Sequence, residues 1–226
     1  MSTNPQVVIF VGVLTEYQGI DLLLEAIPRV IQKIQHVKFL IVGYPNEDRY
    51  RQRARELGVE PWIHFTGKVS YEQVPRYLSL ADVAVSPKIS ITEANLKLFN
   101  YMAMGLPAVV FETPINREIL GGVGVYAKLG DVDSLADALV GVLTNPERLT
   151  ELARLSRQKA ADEHSWFSVA RQLAAIYHSV HDSLRRSSKE QEHAKVEHLS
   201  DGWGRFYGLP FGKSTARSGP HRHGRR

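Results

Sequence analysis

The chain has 226 residues, 43% of them hydrophobic, so it is long enough to bury a sizeable core. It contains no cysteine, which excludes disulfides and thiolate metal sites and is typical of a reducing compartment, so we expect the cytoplasm. The net charge of +4 is concentrated from Arg185 onward, where ten Lys or Arg residues outnumber four Asp or Glu residues.

The first element is the apolar run from Val7 to Leu14, which is too short for a cleaved signal peptide or a membrane span and instead predicts a strand. Six such runs follow one another along the chain: QVVIFVGV, VKFLIVG, WIHFTG, DVAVSP, PAVVFE and GVYAKLG. Because they are continuous rather than alternating, the strands should be buried on both faces. The pattern predicts an α/β fold with a doubly wound parallel sheet over residues 6–128.

Helix-period segments separate these strands, and three more follow the last one, ending near residue 184. Asn145, before Pro146, and Ser165 are suited to cap two of these closing helices. From residue 185 the composition changes to Lys, Glu, His, Ser and Gly, which cannot bury enough apolar surface to become ordered. We therefore predict a single domain at residues 1–184 and a disordered basic tail at residues 185–226.

Open parallel sheets bind ligands beyond the carboxyl ends of their strands. In this chain that rule points to the loops at residues 12–19, 43–48, 67–70, 87–95 and 112–116. Gly12 ends the first strand, where a missing Cβ lets the backbone approach a ligand, although a glycine required only by a tight turn is an equal alternative.

A helix is predicted to begin near Thr92, whose hydroxyl can cap it, so that Glu93, Lys97 and Asn100 share one polar stripe. The first N–H groups of a helix attract anions and Lys97 adds a full charge, so residues 93–97 suit a diphosphate. Asn100 has no ion partner and would suit the hydroxyl pair of a ribose. The alternative is that Glu93 and Lys97 form only an exposed ion pair on the helix surface.

Three other signals are weaker. The segment GLPFGKST imitates a phosphate-binding loop but is one residue too short and follows no strand. The histidines show no ligand spacing on a common face, so we expect no metal site. The basic tail offers charge with one aromatic cluster and no defined fold, so we expect no nucleic-acid binding.

Taken together, the blocks VGVLTEYQGIDLLLEA, FLIVG, IHFTGKV, ADVAVSP, LKLFNYMAMGLPAVVF and NREILGGVGVYAKLGDVDSLADAL resemble the C-terminal half of glycosyltransferase family 4, from about residue 7 to 181. The resemblance implies the GT-B architecture of two Rossmann-like domains, of which the C-terminal one binds a nucleotide-sugar donor. It also implies a transferase that retains anomeric configuration.

The chain departs from the common family pattern at several positions. An arginine and a lysine that hold the donor diphosphate are replaced by Val13 and Gln18. A glutamate pair separated by seven residues is matched by Thr92 and Asn100, with Glu93 one position out of register. A subgroup of the "YQG…LK" type is similar to this sequence, and there Lys97 could replace the lost cations.

The resemblance implies Glu93 as the catalytic residue. The candidate residues for binding the nucleotide-sugar donor are Gly12, Gln18, Gly67, Lys68, Asn95, Leu96, Lys97 and Asn100. No cofactor or metal is expected, because the nucleotide sugar is itself the substrate.

We expect the chain to be the donor-binding half of a retaining glycosyltransferase whose acceptor domain is absent. A separately encoded N-terminal half is the candidate partner. The alternative is an inactive remnant or interaction module that kept the fold. A peripheral membrane contact through the basic tail rests only on its charge.

Overall fold

Six parallel strands form the centre of the fold in the computed structural model, which describes residues 5–207 and the side chains of residues 5–195. The strands are β1 (Gln6–Val11), β2 (Val37–Val42), β3 (Ile63–Gly67), β4 (Val83–Ser86), β5 (Ala108–Phe111) and β6 (Val125–Ala127). Their order across the sheet is β3-β2-β1-β4-β5-β6. All six predicted strands and their parallel arrangement are confirmed.

Eight α-helices connect and extend these strands within the described residues. They are α1 (Ile20–Lys33), α2 (Glu47–Glu56), α3 (Val74–Leu78), α4 (Lys97–Ala103), α5 (Pro114–Leu120), α6 (Val132–Leu143), α7 (Pro146–Glu163) and α8 (Trp166–Tyr207). The Asn145 side chain caps α7 by accepting a hydrogen bond from the N–H of Arg148 at 2.9 Å. Ser165 likewise accepts one from the N–H of Ser168 at the start of α8.

The two faces of the sheet each bury a separate hydrophobic layer. Since side chains alternate along a strand, Val8 and Phe10 of β1 point to the layer covered by α1, α2 and α6. Ile9 points to the opposite layer, where α3, α4 and α5 pack. Because both faces are covered, the strands needed to be apolar at nearly every position, which is why their sequences read as continuous runs.

The strand order reverses at the centre of the sheet. The chain proceeds outward from β1 to β3, and then returns to place β4 on the other side of β1. The connections after β1 and β4 therefore lead to opposite sides of the sheet, and the carboxyl ends of these two strands form the switch point, which is the usual ligand position in such sheets.

The prediction of a disordered tail from residue 185 is wrong for residues 185–207, which continue α8 as helix. The segment has too few apolar residues to bury a core, and its described side chains are indeed exposed. A helix needs only local backbone hydrogen bonds, however, and the Arg, Lys, Glu, Gln and Ala residues here are strong helix formers. Residues 208–226 of the predicted tail lie outside the described residues.

The described chain divides into two compact units, with the boundary between Val169 and Ala170. The first contains the sheet and α1 to α7, and the second contains most of α8. Among the described helices none is both long enough and apolar enough to cross a membrane.

Candidate functional site

The crevice between β1 and β4 requires glycine where its loops approach each other. Gly19 has φ +75°, and a Cβ on it would lie 1.9 Å from the carbonyl oxygen of Pro87, in the loop after β4. A Cβ on Gly43, at the end of β2, would lie 1.9 Å from the carbonyl oxygen of Gly12. Larger residues at these positions would push the strand-end loops apart, so the glycines set the shape of the crevice.

Lys97 is the first residue of α4 and places its ammonium group directly over the end of β1. Its Nζ donates a 2.6 Å hydrogen bond to Oε1 of Gln18 and lies 4.1 Å from the centre of the Phe10 ring. A Cβ on Gly12, which has φ +150°, would lie only 2.8 Å from this Nζ. Gly12 therefore serves two ends: it allows the positive φ of the turn, and its lack of a Cβ leaves room for the Lys97 ammonium.

A buried tyrosine fixes α4 against the same strand. The hydroxyl of Tyr101, one turn after Lys97, accepts a 3.0 Å hydrogen bond from the N–H of Val11. Burial raises the pKa of this hydroxyl, so it stays protonated. The position of Lys97 relative to Gly12 is thus set by a backbone contact as well as by packing.

The environment of Lys97 weakens its charge. Burial, and after it the nearby charge of Lys88, lowers the pKa of the Lys97 ammonium from 10.5 to about 7. Gln18 accepts its hydrogen bond but supplies no negative charge. Among the described residues the buried ammonium therefore has no counterion, and an anionic ligand could supply one.

Lys88 is a second lysine at this crevice, and the sequence analysis missed it. It lies two residues after β4, is only 5% exposed, and forms a 3.0 Å ion pair with the Glu93 carboxylate. Its Nζ also donates to the carbonyl oxygens of Glu93 and Ala94, both at 3.3 Å. A lysine directly after a central strand is a signal that could have identified it, because that position borders the switch point.

The predicted start of the helix at Thr92 is wrong, since α4 begins at Lys97 and residues 87–96 form a loop. Ile89, Ile91 and Thr92 are β-branched, which disfavours helix there. The N–H groups of residues 94–96 therefore do not belong to a helix that begins at Thr92. Glu93 pairs with Lys88 instead of Lys97, so the alternative of a Glu93–Lys97 ion pair is also wrong.

Asn95 anchors this loop inside the protein. Its amide nitrogen donates to Oγ of Ser86 and to Oδ1 of Asn116, each at 3.1 Å. Asn116 in turn donates to the carbonyl oxygen of Phe111 at 2.8 Å. Asn95 is 3% exposed, so this network holds the end of the loop against β4 and α5 and leaves the Asn95 side chain little access to a ligand.

Four of the predicted binding residues line one cleft of about 910 Å³: Gly12, Leu96, Lys97 and Asn100. Gln18 is buried and contacts Lys97. Gly67 and Lys68 lie at the end of β3, where the Lys68 ammonium packs 5.0 Å from the centre of the Tyr44 ring. Neither of them lines the cleft, and neither does Glu93.

The opposite wall of the cleft comes from the end of α7 and the start of α8, within the first compact unit. It includes Arg157, His164 and Trp166, none of which the sequence analysis singled out. The His164 ring packs edge-on against Phe99 of α4, with 4.9 Å between the ring centres. No described residue that lines the cleft is acidic.

A metal is not suggested by the side chains described. Among residues 5–195, no group of three or more His, Asp or Glu side chains is arranged to hold a metal ion.

The family described as glycosyl transferases group 1 matches residues 5–145. This chain belongs to that family. Phosphatidyl-myo-inositol mannosyltransferase of Mycobacterium leprae is 33% identical over 176 residues, which cover 76% of this chain and 46% of the relative. An MMP alpha-(1->4)-mannosyltransferase of Mycolicibacterium hassiacum is 31% identical over 71% of this chain and 39% of its own length. The chain thus spans about half the length of these curated relatives, or less.

Solved structures share the fold of this family member at low sequence identity. HepE of Anabaena in complex with UDP has a TM-score of 0.69 and 18% identity, over 78% of this chain and 49% of that one. The catalytic domain of cholesterol-alpha-glucosyltransferase from Helicobacter pylori has a TM-score of 0.61 and 17% identity, over 70% of this chain and 99% of that one. These likenesses confirm the Rossmann-like, GT-B type of fold.

Proposed function

We propose that this chain is the part of a retaining glycosyltransferase that binds a nucleotide-sugar donor, with the diphosphate seated at Lys97. The observation that carries the proposal is the ammonium of Lys97, held over Gly12 at the switch point of the sheet with no counterion in the described part of the chain. A diphosphate would supply the missing negative charge. The relative positions of Gly12, Lys97 and Asn100 in one cleft support this assignment.

The same contact gives Lys97 a role in the transfer step. When the bond between sugar and diphosphate breaks, negative charge accumulates on the leaving diphosphate, and a preorganised cation stabilises it. Lys97 is preorganised because Tyr101 fixes its helix and Gln18 orients its ammonium. On binding, the hydrogen bond to Gln18 would be exchanged for one to a phosphate oxygen. Asn100 lies one turn along the same helix and is assigned to the ribose.

Glu93 was assigned the catalytic role from the sequence. Its carboxylate is held by Lys88 and lies outside the residues that line the cleft. This arrangement supports a role in positioning the loop before α4 better than direct contact with the reacting sugar.

The relatives suggest the donor and the presence of a second domain. The relatives from M. leprae and M. hassiacum are mannosyltransferases, and another, from Mycolicibacterium smegmatis, is named as GDP-mannose-dependent. We therefore propose a mannosyl donor, with GDP-mannose as the first to test.

The acceptor domain would match the half of the relatives that this chain does not cover. We propose that it acts as a separate polypeptide or segment. The cytoplasm remains the expected compartment.

Calorimetric titration tests the donor site. The purified chain is titrated with GDP, GDP-mannose, UDP and UDP-glucose, and compared with a Lys97→Met variant, which keeps the side-chain volume but removes the charge. Because a hydrogen bond to a charged group is worth about 1.5–3 kcal/mol, we expect Lys97→Met to bind at least about tenfold more weakly. Lys68→Met, which removes a lysine outside the cleft, is the matched control. Equal affinity in all three proteins would refute the assignment.

The second candidate is an interaction module that kept the fold and lost catalysis. It is favoured by Val13 and Gln18, which carry no charge where the family commonly has two cations. Absence of nucleotide binding by the chain alone, and also after addition of a candidate acceptor domain, would favour this alternative. Membrane contact through residues 185–226 stays a prediction that a vesicle sedimentation assay with and without those residues would check.

A further inference from the structure

The cleft extends well beyond Lys97, along a second wall that the proposed donor site does not use. Arg157 lies in the second half of α7, and its guanidinium has no hydrogen bond or ion pair with any described residue. On the same helix, Arg154 pairs with Glu151 at 2.8 Å. An unpaired arginine inside a concave site that has no acidic lining residue is available to an anion.

A second observation comes from His164 in the same wall. Its Nε2 is buried and has no hydrogen-bond partner among the described residues. Leaving a buried polar atom unpaired is unfavourable, and such atoms in native proteins usually have a partner that is not part of the chain. Of the four side chains with such an atom in the described part of the chain, His164 is the one that lines the cleft.

The position of Arg157 separates it from the donor seat. Lys97 begins α4, whereas Arg157 lies beside Gly105, just after α4 ends, where a Cβ on the glycine would be 3.7 Å from its own Cβ. From Lys97 to Ala103 the helix rises about 9 Å. The side chains of Lys97 and Arg157 therefore start from opposite ends of α4, with His164 packed against Phe99 between them.

We infer that Arg157 and His164 form an anion subsite for a phosphate ester other than the diphosphate of the donor. The tetrahedral phosphate would accept from the guanidinium, and a phosphate oxygen or ester hydroxyl would pair with Nε2 of His164. Trp166 at the rim and the alanines at 160 and 161 present apolar surface beside this subsite, which suits the carbon part of an ester more than free phosphate. The subsite does not depend on nucleotide binding at Lys97.

The first test titrates the full chain with glycerol 3-phosphate. We expect Arg157→Gln to weaken binding at least about tenfold, which is the effect of losing a charged hydrogen bond. Arg154→Gln is the matched control, since it removes an arginine three residues earlier whose partner is Glu151, and it should bind as the wild type does. The inference is overturned if the wild type does not bind the ester, or if the two variants bind equally.

A second measurement follows His164 itself. The ¹⁵N signals of its ring should shift when glycerol 3-phosphate is added, and a purely structural histidine would give no such change. His164→Phe keeps the ring against Phe99 and removes both nitrogens, so it should fold normally and bind the ester more weakly. An unchanged ring signal at saturation would remove His164 from the subsite and contradict the inference.

Lys97→Met distinguishes this subsite from the donor site. We expect it to lose affinity for GDP and to keep affinity for glycerol 3-phosphate. If it lost both in parallel, or if saturating GDP displaced the ester, there would be a single anion seat and the inference would be wrong. If the ester bound but GDP did not, the proposed donor function would fail while the subsite stood.

Vesicle sedimentation distinguishes a lipid headgroup from a soluble phosphate ester as the ligand of the subsite. Phosphatidylglycerol carries the same ester in a lipid headgroup, and phosphatidylcholine vesicles provide the control for general adhesion. Sedimentation with phosphatidylglycerol vesicles that Arg157→Gln abolishes would assign a lipid headgroup. Binding of glycerol 3-phosphate without binding of vesicles would assign a soluble ester.

Discussion

The ammonium of Lys97 and the side-chain oxygen of Gln18 are 2.6 Å apart, although 79 residues separate them in the chain. The contact joins the loop after β1 to the first residue of α4, across the switch point of the sheet. Gln18 is neutral, so the contact orients the lysine without neutralising it. The positive charge of Lys97 is therefore fixed in position and stays available to an anionic ligand.

Replacing Gly12 should disrupt this arrangement. A Cβ there would lie 2.8 Å from Nζ of Lys97, and the φ of +150° is unfavourable for any side chain. We expect Gly12→Ala to reduce nucleotide affinity about tenfold or more and to cost about 1 kcal/mol of stability. Calorimetry and urea unfolding measure the two effects.

Gly130→Ala is a suitable control for Gly12→Ala. Gly130 also has a positive φ, of +72°, but a Cβ on it would meet nothing within 4 Å. We expect it to lose stability through backbone strain and to keep its nucleotide affinity. Unchanged nucleotide affinity in Gly12→Ala would contradict the role assigned to the glycine.

Nucleotide affinity should depend on pH through Lys97. The pKa of its ammonium is about 7 in the free protein, and a bound diphosphate would raise it, so binding takes up a proton above pH 7. From about pH 7 to 8.5 the affinity should fall, approaching about tenfold per pH unit. Calorimetry in buffers of different ionisation enthalpy measures the proton uptake directly.

Lys97→Arg provides the control for this dependence, because a guanidinium stays charged over the whole range. The slope of affinity against pH above 7 should be flatter in this variant. A wild-type slope equal to that of the arginine variant would exclude Lys97 as the titrating group.

The same lysine should affect folding with a defined sign. In the folded protein it releases its proton near pH 7, whereas in the unfolded chain it keeps the proton up to about pH 10.4. Between these values the unfolded state binds more protons, so the stability of the wild type rises with pH. Removal of the charge in Lys97→Met should therefore stabilise the fold most below pH 7, and progressively less towards pH 10. Urea unfolding of both proteins at pH 6 and pH 9 checks this, and a gain that is larger at pH 9 would contradict it.

Asn95 and Asn100 should respond differently to truncation. Asn95→Ala removes the buried partner of Oγ of Ser86 and of Oδ1 of Asn116, and we expect a loss of about 1–3 kcal/mol of stability. Asn100 lines the cleft, so Asn100→Ala should weaken nucleotide binding. Its free energy of unfolding should change by no more than about 0.5 kcal/mol. Thermal unfolding together with calorimetry separates the two, and similar stability losses in both variants would disprove the distinction.

The sequence by itself determined the sheet and most of its helices. Continuous apolar runs can be buried only between two helix layers, so strand number, parallel direction and the ligand edge followed from local composition. It also selected Gly12, directly after β1, and the polar stripe of Lys97 and Asn100 as candidates, and the structure places these three residues in one cleft. The sequence analysis did not predict that α8 continues past residue 184, because low apolar content excludes a buried core but does not exclude an exposed helix.

Only the tertiary structure decided how the loop before α4 is built. Asn95 enters a buried network with Ser86 and Asn116, and Glu93 pairs with Lys88, so the helix begins at Lys97 rather than Thr92. These partners come from β4, α5 and the loop itself, and local capping rules do not include them. The pKa of Lys97 and the cleft wall of Arg157 and His164 were equally unavailable to the sequence, because burial and charge proximity arise only when distant segments pack together.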